Sequence, residues 1–146
     1  MINRIHSVNA VYTCTVSVRS YECDSYGHVN NAVYLNYLEY ARDEYLKDIG
    51  VSIPELRASG FGLLVAKISI EYRLPAFTDE FLTINTSALR QTLVGGVLRQ
   101  VITRAAADNG AKPLVVAEAD VTWVCVDSRG RPVRLPAAFH REAPVS

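Results

Sequence analysis

One long segment of helical period stands alone in a chain whose other patterned stretches alternate. Between Asn31 and Ile49 the apolar residues Leu35, Leu38, Ala41, Tyr45, Leu46 and Ile49 recur three or four apart. That spacing is one face of a helix of about five turns. Before it, Tyr12, Cys14, Val16 and Val18 interleave with Thr13, Thr15, Ser17 and Arg19, the period of a half-buried strand. After it, strands are predicted over 64–72, 81–89, 97–106 and 114–126. A lone helix with an apolar stripe must bury that stripe, and here only a sheet can cover it. The order strand, helix, four strands predicts an α+β domain: a curved antiparallel sheet of about five strands around a long central helix.

Local signals punctuate this order. Asn30 or Asn31 suits a helix N-cap, and Gly50 suits the stop. One further helical turn is expected over 52–59, near Pro54. In the second strand Leu64, Ala66, Ile68, Ile70 and Tyr72 share one face, and Val65, Lys67, Ser69, Glu71 and Arg73 the other, until Pro75 ends it. Gly95-Gly96 reads as a turn, Asp108-Asn109-Gly110 as a hairpin, and Asp127 to Gly130 as another turn. The tail after Phe139 is expected to be loose. The last strand is apolar on both sides in part, so some of the sheet or its edge is expected to meet another subunit.

The 146 residues suit one domain, 1–146, with a sizeable core. Basic and acidic residues balance at 15 each, which disfavours nucleic-acid or membrane-surface binding. No apolar stretch spans a bilayer, and the first residues lack a leader-like apolar run, so a cytoplasmic protein is expected. Cys14, Cys23 and Cys125 form no Cys-x-x-Cys pair, and His6, His28 and His140 are scattered. Neither a disulfide framework nor a metal site is expected. Phosphate-binding glycine loops and the Gly-x-Ser-x-Gly elbow are missing too.

The chemistry concentrates in Asp24-Ser25-Tyr26-Gly27-His28-Val29-Asn30-Asn31-Ala32-Val33-Tyr34, which joins the first strand to the helix. A helix start offers free N–H groups and partial positive charge. Such a site can hold an oxygen that gains negative charge during a reaction. A carboxylate seven residues before Asn31 could act on the same reacting atom. The plainer reading makes Asp24 a turn residue, in competition with the catalytic one; Asn31 as an ordinary cap is compatible with its amide acting as a donor. Gly27 suits a positive φ or a close backbone approach. His28 is read as fixing the loop by hydrogen bonding rather than as an acid or base. Cys23 has no activating base and is read as a spectator. Arg42 falls near the apolar stripe with Glu39 three residues before it, the spacing of a partly buried ion pair.

That run resembles the motif of the 4-hydroxybenzoyl-CoA thioesterase-like family of acyl thioesterases, which have the hotdog fold. Further matches are Asn36-Tyr37, Glu39, Ala41-Arg42, Ile70 to Ala76 and Gly130 to Pro136. The resemblance covers the chain from about Val11 to Pro136. It implies hydrolysis of a thioester on coenzyme A or an acyl carrier protein, with no cofactor. It also implies a homo-oligomer, a dimer or a dimer of dimers (a homotetramer), with sites between subunits. The family aspartate maps onto Asp24, as nucleophile or general base, and the carbonyl-polarising amide onto Asn31. Gly27, His28, Val29, Asn30 and Tyr34 are then expected to bind substrate. Tyr37 and Tyr40 could join Tyr34 in a pocket, and Arg129, Arg131 and Arg134 could meet phosphates. In some related polyketide enzymes an arginine near the Arg42 position accompanies asparagine at the aspartate position; Asp24 is retained here, so Arg42 is read as structural. Two alternatives remain. A hotdog enoyl-thioester hydratase or dehydratase would have four residues between aspartate and histidine, against three here. A non-catalytic acyl-CoA-binding regulator would need an output module.

Overall fold

The computed structural model describes residues 10–140. The chain forms β1 (Val11–Ser17), a 3-10 turn (Ser20–Glu22), α1 (Val33–Asp48), α2 (Ile53–Ala58), β2 (Gly62–Tyr72), β3 (Phe81–Gln91), β4 (Gly95–Arg104), β5 (Leu114–Val126) and a closing 3-10 turn (Ala137–His140). The strands make one sheet in the order β1-β3-β4-β5-β2, antiparallel throughout. With α1 packed on its concave face, this is the expected hotdog arrangement. None of the helices among the described residues is long and apolar enough to cross a membrane.

The core divides along α1. Its first half packs Tyr34, Tyr37, Leu38 and Ala41 with Val29, Ala76, Leu82, Ile84, Ile102 and Ala117. Its second half packs Tyr45 and Ile49 with Leu56, Leu98, Cys125 and Phe139. Leu35, expected in the stripe, is 40% exposed, and Tyr34 and Tyr37 take its place. A tyrosine ring fills a core while its hydroxyl reaches a polar partner at the edge, as the Tyr37 hydroxyl does by donating to Glu22 Oε1 at 3.0 Å.

Three local expectations change. α1 starts at Val33, with Ala32 as an N-cap that makes no side-chain hydrogen bond. Asn30 instead accepts from the Ala32 N–H through Oδ1 at 2.9 Å and so forms a turn ahead of the helix. Secondly, β2 has a bulge: Val65 pairs with Trp123 and Lys67 with Thr122, so Ala66 has no partner. An extra residue reverses the alternation. Val65, rather than Leu64, therefore shares the Trp123 face, while Ile68, Ile70 and Tyr72 pair with Val121, Ala119 and Ala117. Thirdly, Gly95 and Gly96 are not a turn but the first residues of β4. A Cβ built on Gly95 would collide with the Trp123 carbonyl oxygen, and one on Gly96 with the Arg90 carbonyl oxygen. Glycine is needed there for close backbone approach.

The other turns hold. Gly50, Gly110 and Gly130 have φ of +80°, +92° and +78°. Asp108 to Gly110 turn within a longer connection, 105–113, rather than as a tight hairpin. The tail expected to be loose falls beyond residue 140, outside the described residues, as does His6.

Candidate active site

Two backbone bridges shape the loop before α1. Cys23 pairs with Val29, and His28 with Phe77. The Asp24 N–H donates to the His28 carbonyl at 2.7 Å, and the Gly27 N–H to the Asp24 carbonyl at 3.0 Å. Gly27 turns the chain at φ +78°, which a side chain would strain. The Asp24 carboxylate folds over this turn: Oδ1 accepts from the Tyr26 N–H at 2.9 Å and the His28 N–H at 3.2 Å. No hydrogen bond engages Oδ2 among the described residues, and Asp24 is exposed. The turn role and an available carboxylate oxygen thus coexist in one side chain.

Asn31 lies at the base of the same loop. The Asn30 N–H donates to the Glu22 carbonyl at 2.9 Å, and the Val33 N–H to the Asn30 carbonyl at 2.9 Å. With Ala32 taken by the Asn30 side chain, the Asn31 N–H is left with no partner among the described residues. Its carbonyl is fixed by the Tyr72 hydroxyl, which donates at 2.9 Å. Asn31 precedes the first helical residue by two positions, so the turn frees its amide and the helix dipole only assists. No hydrogen bond joins Asp24 to Asn31. Each residue offers an atom unpaired among the described residues: a carboxylate oxygen on Asp24 and an N–H donor on Asn31.

The remaining members of the run have distinct places. Val29 is buried, and its N–H donates to the Ala76 carbonyl at 2.9 Å. Its role is to anchor the loop to the core. Tyr34 is also buried. Burial raises its hydroxyl above the usual tyrosine range, partly countered by a hydrogen bond with the Ala76 backbone. Its ring meets Tyr72 edge-on at 5.3 Å, beside the Asn31 carbonyl. His28 bonds within the loop through its backbone rather than its imidazole. Its ring packs edge-on against Phe77 at 5.1 Å, and Arg104 lies over the same Phe77 ring at 5.8 Å. The Cys23 thiol contacts Thr78 Oγ1 at 3.2 Å, consistent with a spectator.

Arg42 makes no ion pair with Glu39. Its Nη1 donates to Gln100 Oε1 at 3.1 Å. Gln100, fully buried, donates through Nε2 to the Leu38 carbonyl at 3.0 Å and Thr86 Oγ1 at 3.1 Å. Burial lowers the Arg42 guanidinium, and the charges of Glu39 and Asp43 counter that. This network stitches α1 to β3 and β4. Gln100 and Thr86 carry no motif, so only the fold reveals them. Tyr40 is 45% exposed and outside the core. The Arg129 and Arg131 backbone N–H groups close the turn on Asp127 Oδ1 at 2.8 and 3.0 Å.

Comparison with known proteins adds the family context. A family model described as the thioesterase-like superfamily matches residues 18–142. The chain is 38% identical over 112 residues to the long-chain acyl-CoA thioesterase FadM of Escherichia coli, covering 77% of this chain and 80% of that protein. It is 28% identical over 130 residues to the chloroplastic acyl-acyl carrier protein thioesterase ATL2 of Arabidopsis thaliana, covering 89% of this chain and 66% of that one. The solved structure of a 4-hydroxybenzoyl CoA thioesterase from a Pseudomonas species matches with a TM-score of 0.78 at 22% identity, over 88% of this chain and 96% of that chain. At that identity the likeness is one of fold.

Proposed function

The chain belongs to the thioesterase-like superfamily, and from that membership we propose that it hydrolyses acyl thioesters of coenzyme A or an acyl carrier protein at the Asp24–Asn31 loop. It is a thioester hydrolase by kinship with FadM; the assignment of its residues is our own. The thioester carbonyl oxygen lies against the free Asn31 N–H, which stabilises the oxyanion formed on attack. Asp24 Oδ2 then acts in one of two ways. As nucleophile it attacks the carbonyl carbon, expels the thiolate and leaves an anhydride that water cleaves. As base it takes a proton from the water that attacks. The observation that carries the reading is the division of labour in the carboxylate: the loop holds Oδ1 and leaves Oδ2 exposed. Gly27, Val29 and Asn30 serve by shaping the loop, while His28 and Tyr34 flank the substrate. The packed ring of His28 gives no support to a hydratase.

Two copies complete the enzyme on this reading. β2 is a sheet edge of 11 residues with Leu64 51% and Val65 47% exposed. A long apolar edge is a pairing surface, and antiparallel pairing of two β2 strands closes it in a homodimer. The free thiols suit the reducing cytoplasm. Thiol release from a panel of acyl-CoA and acyl-carrier-protein substrates tests the activity, and sedimentation tests for at least twice the 16.1 kDa chain mass. Single-turnover hydrolysis in labelled water separates the two routes: label in the Asp24 carboxylate means nucleophilic attack. Absence of thiol release across the panel would sink the proposal.

A further inference from the structure

A cavity of about 230 Å³ lies between the second half of α1 and the sheet, walled by Leu46, Ile49, Leu63, Val65, Leu98 and Trp123. A dry cavity of about 150 Å³ already accepts a benzene ring, so this one has room for a ring or a medium-length chain. Its lining is mostly apolar, and its polar members are Glu39, Arg42, Asp43, Arg90, Gln91 and the indole N–H of Trp123. Gln91 Nε2 and Trp123 Nε1 are buried donors with no hydrogen-bond partner. Buried polar groups are rarely left unmet, because losing water without a replacement bond is costly.

The strand registers place these two donors in one row. Gln91 pairs with Gly96 across β3 and β4, and Gly96 with Trp123 across β4 and β5. Directly opposed residues share a face of the sheet. Gly96 has no side chain, and Trp123 Nε1 lies 3.3 Å from where a Cβ would stand. The Arg90 carbonyl oxygen already fills that point, so the glycine lets the backbones close up, and the amide and the indole reach the cavity beside it. Every buried side-chain acceptor among the described residues has a partner, so what the row lacks is an acceptor. Arg42 lines the same cavity but donates to Gln100, with Glu39 and Asp43 beside it. Arg90 lines the cavity too, so two carboxylates and two guanidinium groups balance and the lining offers no net charge to hold an anionic occupant. A carbonyl oxygen is neutral, accepts two hydrogen bonds and donates none.

We propose that this cavity binds acyl groups bearing an oxo group along the chain, with that oxygen taken by Gln91 Nε2 and Trp123 Nε1. The proposal rests on the thioesterase and β2-dimer reading. Antiparallel pairing about the middle of β2 brings Tyr72 of one copy, which holds Asn31, beside Leu63 of the second copy, which lines the cavity. The acyl group then runs from the loop of one copy into the cavity of the other.

Trp123 is the only tryptophan of the chain, so intrinsic emission reports on this row. The probes are S-decyl-CoA and its 5-oxo, 7-oxo and 9-oxo counterparts, thioethers that cannot be hydrolysed. At least one oxo probe is expected to bind about ten-fold tighter than S-decyl-CoA, the scale of one or two good hydrogen bonds, and to shift the emission. Gln91→Leu is expected to remove most of that preference while leaving S-decyl-CoA affinity within about two-fold. Oxo probes no tighter than S-decyl-CoA, an emission unmoved by every probe, or equal weakening of all probes by Gln91→Leu would each overturn the proposal. Thiol release from acyl-CoA is read separately. An oxo preference without thiol release would preserve the cavity assignment and remove the hydrolase reading.

Discussion

Asp24 and Trp123 serve the two ends of α1 and are held by opposite means. Asp24 is exposed, and the bonds to its carboxylate come from Tyr26 and His28, two and four residues away. Trp123 lies inside β5, and its surroundings come from β2, β4 and the closing 3-10 turn, where Phe139 stacks on it at 5.4 Å. A short loop can therefore hold a carboxylate in place with backbone amides alone, which is what the proposed role of Asp24 requires. A recognition surface inside a sheet requires distant strands to arrive in register. On the proposed function the loop concentrates chemistry and the sheet stability, so substitutions in the two regions should separate activity from folding.

Asp24→Asn gives the sharpest separation. Asparagine keeps an Oδ1 that can accept from Tyr26 and His28, so the loop survives, but the reactive carboxylate is gone. Turnover is expected to fall by roughly 10²- to 10⁴-fold, with a melting temperature within about 2 °C of the parent. Near-normal thiol release would remove Asp24 from the chemistry. Gly95→Ala is the converse. A methyl group there meets the Trp123 carbonyl oxygen, and overpacking of this kind costs about 3 kcal/mol. Urea melts should show the loss; an unchanged midpoint would mean the strands can part without penalty.

Gly27→Ala tests the boundary between the regions. No atom lies within 4 Å of a Cβ there, so the whole cost is the left-handed φ, about 1–2 kcal/mol. Gly27→Asn should lose less, since asparagine tolerates that conformation. Equal losses for the two variants would point to a contact rather than to backbone strain.

The smallest effect concerns alkaline stability. Burial pushes the Tyr45 hydroxyl up to about 12, against about 10 in an unfolded chain. The folded state keeps this proton longer, so the stabilisation is complete below about pH 10 and is lost as pH rises towards 12. Tyr37, raised by burial and its bond to Glu22, acts in the same sense. Stability should fall by at most about 1.4 kcal/mol per pH unit from Tyr45 over that window. Tyr45→Phe should flatten the slope, as denaturant midpoints at several alkaline pH values would reveal.

What could be read in the chain follows the same division. The helix was legible because its apolar residues repeat within one element, and Gly27 and Asp24 because their partners are local. The turn Asn30 makes with Ala32 puts the helix start two residues later, since the side-chain bond holds residues 30–32 in a turn ahead of it. The bulge at Ala66 was hidden because alternation in β2 continues smoothly in sequence and breaks only against β5. Gly95-Gly96 looked like a turn because sequence shows two glycines but not the neighbouring strand. Arg42 had Glu39 at ion-pair spacing, yet it bonds Gln100, 58 positions away.

The sequence by itself determined the elements, their order and the polar loop that joins β1 to α1, because periodicity and turn chemistry act over a few residues. The tertiary structure decided the strand order, the bulged face of β2, the Arg42–Gln100–Thr86 network and the row Gln91, Gly96, Trp123. Those depend on register between strands far apart in the chain, and register is set by how the whole sheet closes over one helix.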